Sequence, residues 1–176
     1  MSEIEILNPP RTLIEIWESL PEGTLCQIIN NTLVMSPAPV DDHQKILGKL
    51  FSKILIFAEE NNLGEVRISP YDVHLDDENI FQPDMFFISE SNAQKINKHL
   101  YGAPDLVIEI LSPSNRGYDT NDKKDIYEKF GVKELFIVEP SDKSVISYLM
   151  VNDEFVQRDT KSGVIESVLL GASFTF

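Results

Sequence analysis

The chain has 176 residues, 42% of them hydrophobic and 25% charged, which suits a single globular domain over residues 1–176 with a substantial core. Fifteen Lys plus Arg against 29 Asp plus Glu leave a net charge of −14; such a surface repels polyanions at long range and argues against a dedicated DNA-binding protein. Cys26 is the only cysteine, so an intrachain disulfide is excluded, and no apolar run approaches a membrane span. "MSEIEILNPP" has neither the basic start nor the apolar stretch of a secretory signal. A cytoplasmic protein, off the membrane, is expected.

The elements follow in chain order. "TLIE" (12–15) has capping-box spacing and predicts a short helix to about Leu20. "TLCQIINNTLVMSP" reads as a hairpin turning at Asn30 and Asn31, since Asn tolerates the positive φ of a two-residue turn. From Val40 to about Glu60, His43, Ile46, Leu47, Leu50, Phe51, Ile54 and Phe57 recur at helical spacing and form one core-facing stripe. "EVRISPYDVHL" and "IFQPDMFFIS" read as two strands joined by the turn "DDEN". After the strand "DLVIEIL", a loop opens into a helix with Asp119 as N-cap and Gly131 as its stop. "KELFIVEP" predicts a central strand, "SVISYLMVNDEFVQRD" a hairpin turning at Asn152 and Asp153, and "GVIESVLLGASFTF" closes the chain. This order predicts a mixed α/β domain on one curved sheet.

Three residues are out of place for a plain core. Residues two apart share a face of a strand, so Asp105, Val107, Glu109 and Leu111 lie on one side, and Leu106, Ile108 and Ile110 on the other. Both sides are apolar, so the strand is covered twice. Glu109 must then be paired, hydrogen-bonded or metal-bound, because a bare buried carboxylate costs several kcal/mol. Lys123, four before Tyr127 and seven before Phe130, shares the inward face of its helix, whereas Lys124 points about 100° away and can pair with Glu128. A first-turn lysine opposes the helix dipole, so an inward one calls for an anion nearby. Asp84, in "QPDMFFI", opens a strand expected beside "DLVIEIL". Two carboxylates on adjacent strands make an oxygen-rich site for Mg²⁺ or Mn²⁺, and a lysine beside them can orient water or counter the charge of a phosphate. Asp105 reads as structural, Tyr127 as core with its hydroxyl on a polar neighbour, and His74 and His99 carry no usable signal.

"MSPAPVDDHQKILGKL", "QPDMFFI", "APDLVIEILSPSNRGYDTNDKKDIY" and "GVKELFIVEP" together resemble the Uma2 family of bacterial proteins, itself similar to the PD-(D/E)XK restriction-endonuclease-like superfamily. The resemblance spans roughly residues 10–145. It implies a restriction-endonuclease-like α/β fold, with a mixed curved central sheet flanked by helices, and a metal-dependent endonuclease acting on nucleic acid. Carried over by position, the superfamily's Pro-Asp acid falls on Asp84 and its third-motif acid on Glu109. Leu111 stands where the motif lysine is expected, and the matching lysine is Lys123 on the following helix. The resemblance thus implies Asp84 and Glu109 as metal ligands, Lys123 as the third catalytic residue, and His43, Asp119 and Tyr127 as supporting positions. The family's first hairpin carries a glutamate where this chain has Gln27, a neutral and poorer cation ligand. A nuclease-fold module acting through protein partners or as an oligomer is therefore the alternative. The strand "VISYLMV" and the terminal "FTF" leave a homodimer open.

Overall fold

Local signals set most of the elements in the computed structural model, which describes residues 12–21, 23–36, 38–112 and 121–176. Thr12 caps α1 (Leu13–Ser19) reciprocally: its hydroxyl accepts from Glu15 N at 3.3 Å, and the Glu15 carboxylate accepts from Thr12 N at 3.1 Å. The hairpin of β1 (Cys26–Ile29) and β2 (Thr32–Met35) turns at Asn30 and Asn31, with φ of 48° and 54°. Those are the left-handed values a tight hairpin turn needs. Helix α2 (Asp41–Glu60) buries His43, Ile46, Leu47, Leu50 and Ile54 from the expected stripe, and adds Ala58.

The following stretch corrects the sequence reading. The two strands expected over 65–75 and 80–89 are four. Pro70 parts β3 (Gly64–Ile68) from β4 (Val73–Asp76), and Pro83 parts β5 (Asn79–Phe81) from β6 (Met85–Ser89). Proline has no N–H to give a ladder, and at both breaks the chain leaves one sheet for another. With β7 (Leu100–Tyr101) at its edge, a five-stranded sheet runs β2-β1-β5-β4-β7. A seven-stranded sheet holds β3, β6, β8 (Leu106–Ile110), β9 (Glu134–Val138), β10 (Ser144–Val151) and β11 (Glu154–Gln157), in the order β11-β10-β9-β8-β6-β3. The short β12 (Lys161–Ser162) pairs with β10, and β13 (Val164–Ser167) with β14 (Ala172–Thr175) forms a separate hairpin. The mixed central sheet is present and the β10–β11 hairpin extends it, but the β1–β2 and β13–β14 hairpins lie in two further sheets.

Strand β8 is the middle of this arrangement, antiparallel to β6 and parallel to β9. All five of its residues are buried. Leu106, Ile108 and Ile110 pack with α2 and the β13–β14 hairpin. Val107 and Leu111 pack on the other side with Ile126 and Tyr127 of α3 (Lys123–Lys129) and with Phe81 and Val73 of the five-stranded sheet. The two-sided burial expected of this strand holds; each such side chain contributes about 1.5–3 kcal/mol. Helix α3 ends where Gly131 (φ 79°) donates to Glu128 O and Val132 donates to Tyr127 O, both at 3.0 Å. That pair of bonds is a Schellman cap, and it returns the chain directly into β9. Among the described residues, no helix is long and apolar enough to cross a membrane.

Candidate active site

The break at Pro83 places Asp84 at the corner between the two sheets, immediately before β6. Its backbone carbonyl accepts from Ser69 N at 3.0 Å, which closes the corner against the neighbouring strand. Because β6 runs antiparallel to β8 with Met85 opposite Ile108, Asp84 reaches the C-terminal end of β8. There its Oδ2 accepts from the Ile110 N–H at 2.7 Å. The same oxygen lies 3.1 Å from His43 Nε2, in the first turn of α2. His43 is buried, while the Asp84 side chain keeps 18% of its surface exposed. Its Oδ1 accepts no hydrogen bond among the described residues.

One residue before Ile110, Glu109 points to the opposite face, where α3 covers the sheet. Its Oε1 accepts from Lys123 Nζ at 3.0 Å and from the Tyr127 hydroxyl at 2.8 Å. Lys123 and Tyr127 are one helical turn apart, so a single face of α3 delivers both donors. All three side chains are almost fully buried. Phe81 closes the group: the Lys123 ammonium sits 5.8 Å from its ring centre, and its ring meets Tyr127 edge-on at 5.3 Å. Taking two charges out of water is repaid only by close pairing and further hydrogen bonds, and this arrangement supplies both.

The periodicity argument for Lys123 therefore holds in three dimensions. Leu111, two residues after Glu109 on the same face, packs into the apolar cluster around α3, and the helix supplies the lysine that the strand lacks. Lys124 points elsewhere, to Asp125 at 2.6 Å and Glu128 at 4.0 Å. Asp119 lies outside the described residues; the residue preceding α3 is Asp122, whose side chain makes no capping bond.

Gln27 is buried and held at both ends of its amide. Its Oε1 accepts from Gln82 N at 3.0 Å, and its Nε2 donates to Ser36 Oγ at 2.9 Å. It thus fixes the backbone two residues ahead of Asp84. No local pattern points to Ser36 or Gln82, which lie nine and 55 residues from Gln27.

Two groups result, His43–Asp84 and Glu109–Lys123–Tyr127, joined through adjacent residues of β8. Two carboxylates are the hard oxygen donors that suit Mg²⁺ or Mn²⁺, which keep several waters and take only one or two side chains. The open Oδ1 of Asp84 fits that donor chemistry. Among the described residues, no cluster of three or more His, Cys, Asp and Glu side chains forms an all-protein cage.

Over residues 13–175 the sequence matches Uma2, a family described as "Putative restriction endonuclease". A solved structure described as a putative nuclease belonging to DUF820, from Anabaena variabilis ATCC 29413, superposes with a TM-score of 0.75. The two are 18% identical over 92% of each chain, so the likeness extends to the fold. Among curated proteins, none matches this chain.

Proposed function

The chain belongs to the Uma2 family, and on that premise we propose that it is a metal-dependent nuclease that hydrolyses phosphodiester bonds of nucleic acid. The observation that carries this reading is the buried lysine of α3 on the carboxylate of β8, Lys123 Nζ to Glu109 Oε1 at 3.0 Å. It stands one residue from the backbone N–H that holds Asp84. In this reading Asp84 and Glu109 hold Mg²⁺ or Mn²⁺. When bound, the metal polarises the phosphate and lowers the pKa of a bound water.

The side chains do the rest. His43 and the Ile110 N–H fix Oδ2 of Asp84, which leaves Oδ1 for a metal. Lys123 and Tyr127 fix Glu109 and stabilise its anionic form, since hydrogen bonds to a carboxylate favour the charged state. The Lys123 ammonium also offsets negative charge where a phosphate would meet Glu109, and can orient the attacking water. Gln27 supports the approach to Asp84 through Gln82.

Calorimetric titration of Mg²⁺ and Mn²⁺ into the wild type and Glu109→Ala, followed by incubation of both with plasmid and single-stranded DNA, tests this. Metal binding and nicking that disappear together in the variant are expected. No binding and no cleavage at millimolar metal would overturn the reading. A second reading, a nuclease-fold module without turnover, is favoured by one observation: Gln27 is neutral, and both ends of its amide are already engaged.

A further inference from the structure

Four rings gather where α1 crosses the edge of the five-stranded sheet. Trp17 meets His74 edge-on at 5.0 Å and His99 at 5.9 Å. His74 lies 5.1 Å from His99 and 5.0 Å from Tyr101, at shallow angles of 39° and 31°. These rings line a cleft of about 490 Å³, together with Asp72 and Lys98. A cleft of that size lies in the range of small-molecule sites. Tyr101 is 51% exposed, a large apolar surface left in water. His74 Nε2 is buried without a hydrogen-bond partner among the described residues.

We propose that this cleft binds the unpaired base of a single-stranded nucleic acid. The inference rests on the nuclease reading for its partner, and it names the substrate class. Every base has a π face, so aromatic side chains hold bases without regard to sequence. Burial, and the neighbouring His99, push the His74 imidazole below its ordinary pKa and keep it neutral. The Asp72 carboxylate is held by Gln82 Nε2 at 2.9 Å and faces His99 Nδ1 at 3.4 Å. Lys98 supplies the cation for a phosphate at the lining.

Gln82 connects the cleft to the candidate active site. Its side chain also donates to Thr24 O, on the cleft lining, at 3.3 Å. Two residues further along the chain stands Asp84, a span of at most about 7 Å. Gln82 is thus the side chain through which the cleft wall and the backbone before Asp84 are joined. The charge of −14 opposes a grip on phosphates, so affinity for a strand has to come from its bases. An organic cation in an aromatic cage is the rival occupant: Glu18 and Asp72 on the lining favour it, and Lys98 opposes it.

Trp17 is the only tryptophan, so its emission reports on the cleft. The full wild-type chain, kept in EDTA so that no metal-dependent cleavage occurs, is titrated with oligothymidylate, with duplex DNA and with tetramethylammonium. Excitation is at the red edge of tryptophan absorption, where bases do not absorb. Saturable quenching by the single strand, weak response to duplex, and a loss of affinity of roughly 5- to 150-fold in Tyr101→Ala are expected. His99→Ala gives a second cleft variant, and circular dichroism checks that both fold. No saturable quenching, unchanged affinity in both variants, or saturation by tetramethylammonium alone would overturn the proposal. Cleavage by the wild type without base binding refutes the cleft only, and base binding without cleavage refutes the nuclease reading only.

Discussion

Asp105 and Glu109 occupy the same face at the two ends of one strand, both are almost fully buried, and both meet a lysine. They are solved in opposite ways. Asp105 accepts from Ser89 N at 2.8 Å, Ser89 Oγ at 2.7 Å and Asn92 Nδ2 at 2.9 Å, and its lysine, Lys133, is half exposed. These donors tie the end of β6 to the start of β9. Glu109 is held instead by a buried ammonium and a buried phenol, both from one helix. Backbone and neutral donors make a carboxylate part of the scaffold. A second buried charge beside it costs desolvation that a scaffold does not require, which is why Glu109, and not Asp105, marks the candidate site.

The largest test of this contrast is truncation at each end. Glu109→Ala removes the carboxylate that the buried Lys123 ammonium meets at 3.0 Å, at a cost of about 3–5 kcal/mol in stability. Cleavage should fall by roughly 10³-fold, on the scale of losing about 4 kcal/mol of transition-state stabilisation. Asp105→Ala should cost about 1–3 kcal/mol, because Lys133 and the donors around it can turn to water, and should leave cleavage intact. Denaturant melts and nicking assays on both variants check this; equal loss of activity at both ends would break the comparison. Glu109→Gln combined with Lys123→Met removes both charges and should recover much of the stability while activity stays absent.

Next in size is His43→Ala, which removes the group that orients Asp84. A 10- to 100-fold loss of metal affinity or cleavage is expected, read by calorimetry and nicking. Wild-type behaviour would reduce His43 to a packing residue.

Acid titration separates the two carboxylates further. Burial would push the Asp105 carboxyl up, but the bonds from Lys133, Ser89 N, Asn92 and Ser89 Oγ outweigh it and hold the pKa at about 2, against an ordinary 3.8. A folded-state value below the unfolded one gives stability that is complete above 3.8 and lost as pH falls towards about 2. The loss is on the order of 2 kcal/mol. Asp105→Asn should lack that component, so its stability curve over this window should be flatter than the wild type's.

The smallest expected effect is at Gln27→Glu. A carboxylate can still accept from Gln82 N, and the Ser36 hydroxyl can rotate to donate to it; the buried charge that remains should lower stability by about 1–2 kcal/mol without metal. Tighter Mg²⁺ binding in this variant would show that Gln27 limits the metal site. Unchanged binding would leave it as a brace for Gln82.

Much of this was legible locally. The capping box at Thr12, the left-handed backbone of the turn at Asn30 and Asn31, the stripe of α2 and the stop at Gly131 all act within a few residues, so their patterns survive in one dimension. So does the two-faced burial of β8, because alternation assigns each side chain to a side. The inward turn of Lys123 followed from helical period alone. Pro70 and Pro83 were visible too, but as interruptions; that each sends the chain into a different sheet was not, since a missing N–H says where a ladder stops and not where the strand goes next.

What the sequence determined by itself is the chemistry on offer: an acid where only a compensated acid can sit, an inward lysine, and a second acid at a strand entry. Tertiary structure alone decided the pairings. It set His43 against Asp84, brought Lys123 and Tyr127 to Glu109, braced Gln27 on Gln82 and Ser36, and collected Trp17, His74, His99 and Tyr101 into one cleft. The hydrogen-bonded partners among them stand 9 to 55 residues apart. Their meeting depends on sheet register and helix placement, which the whole core fixes at once and which no short stretch encodes.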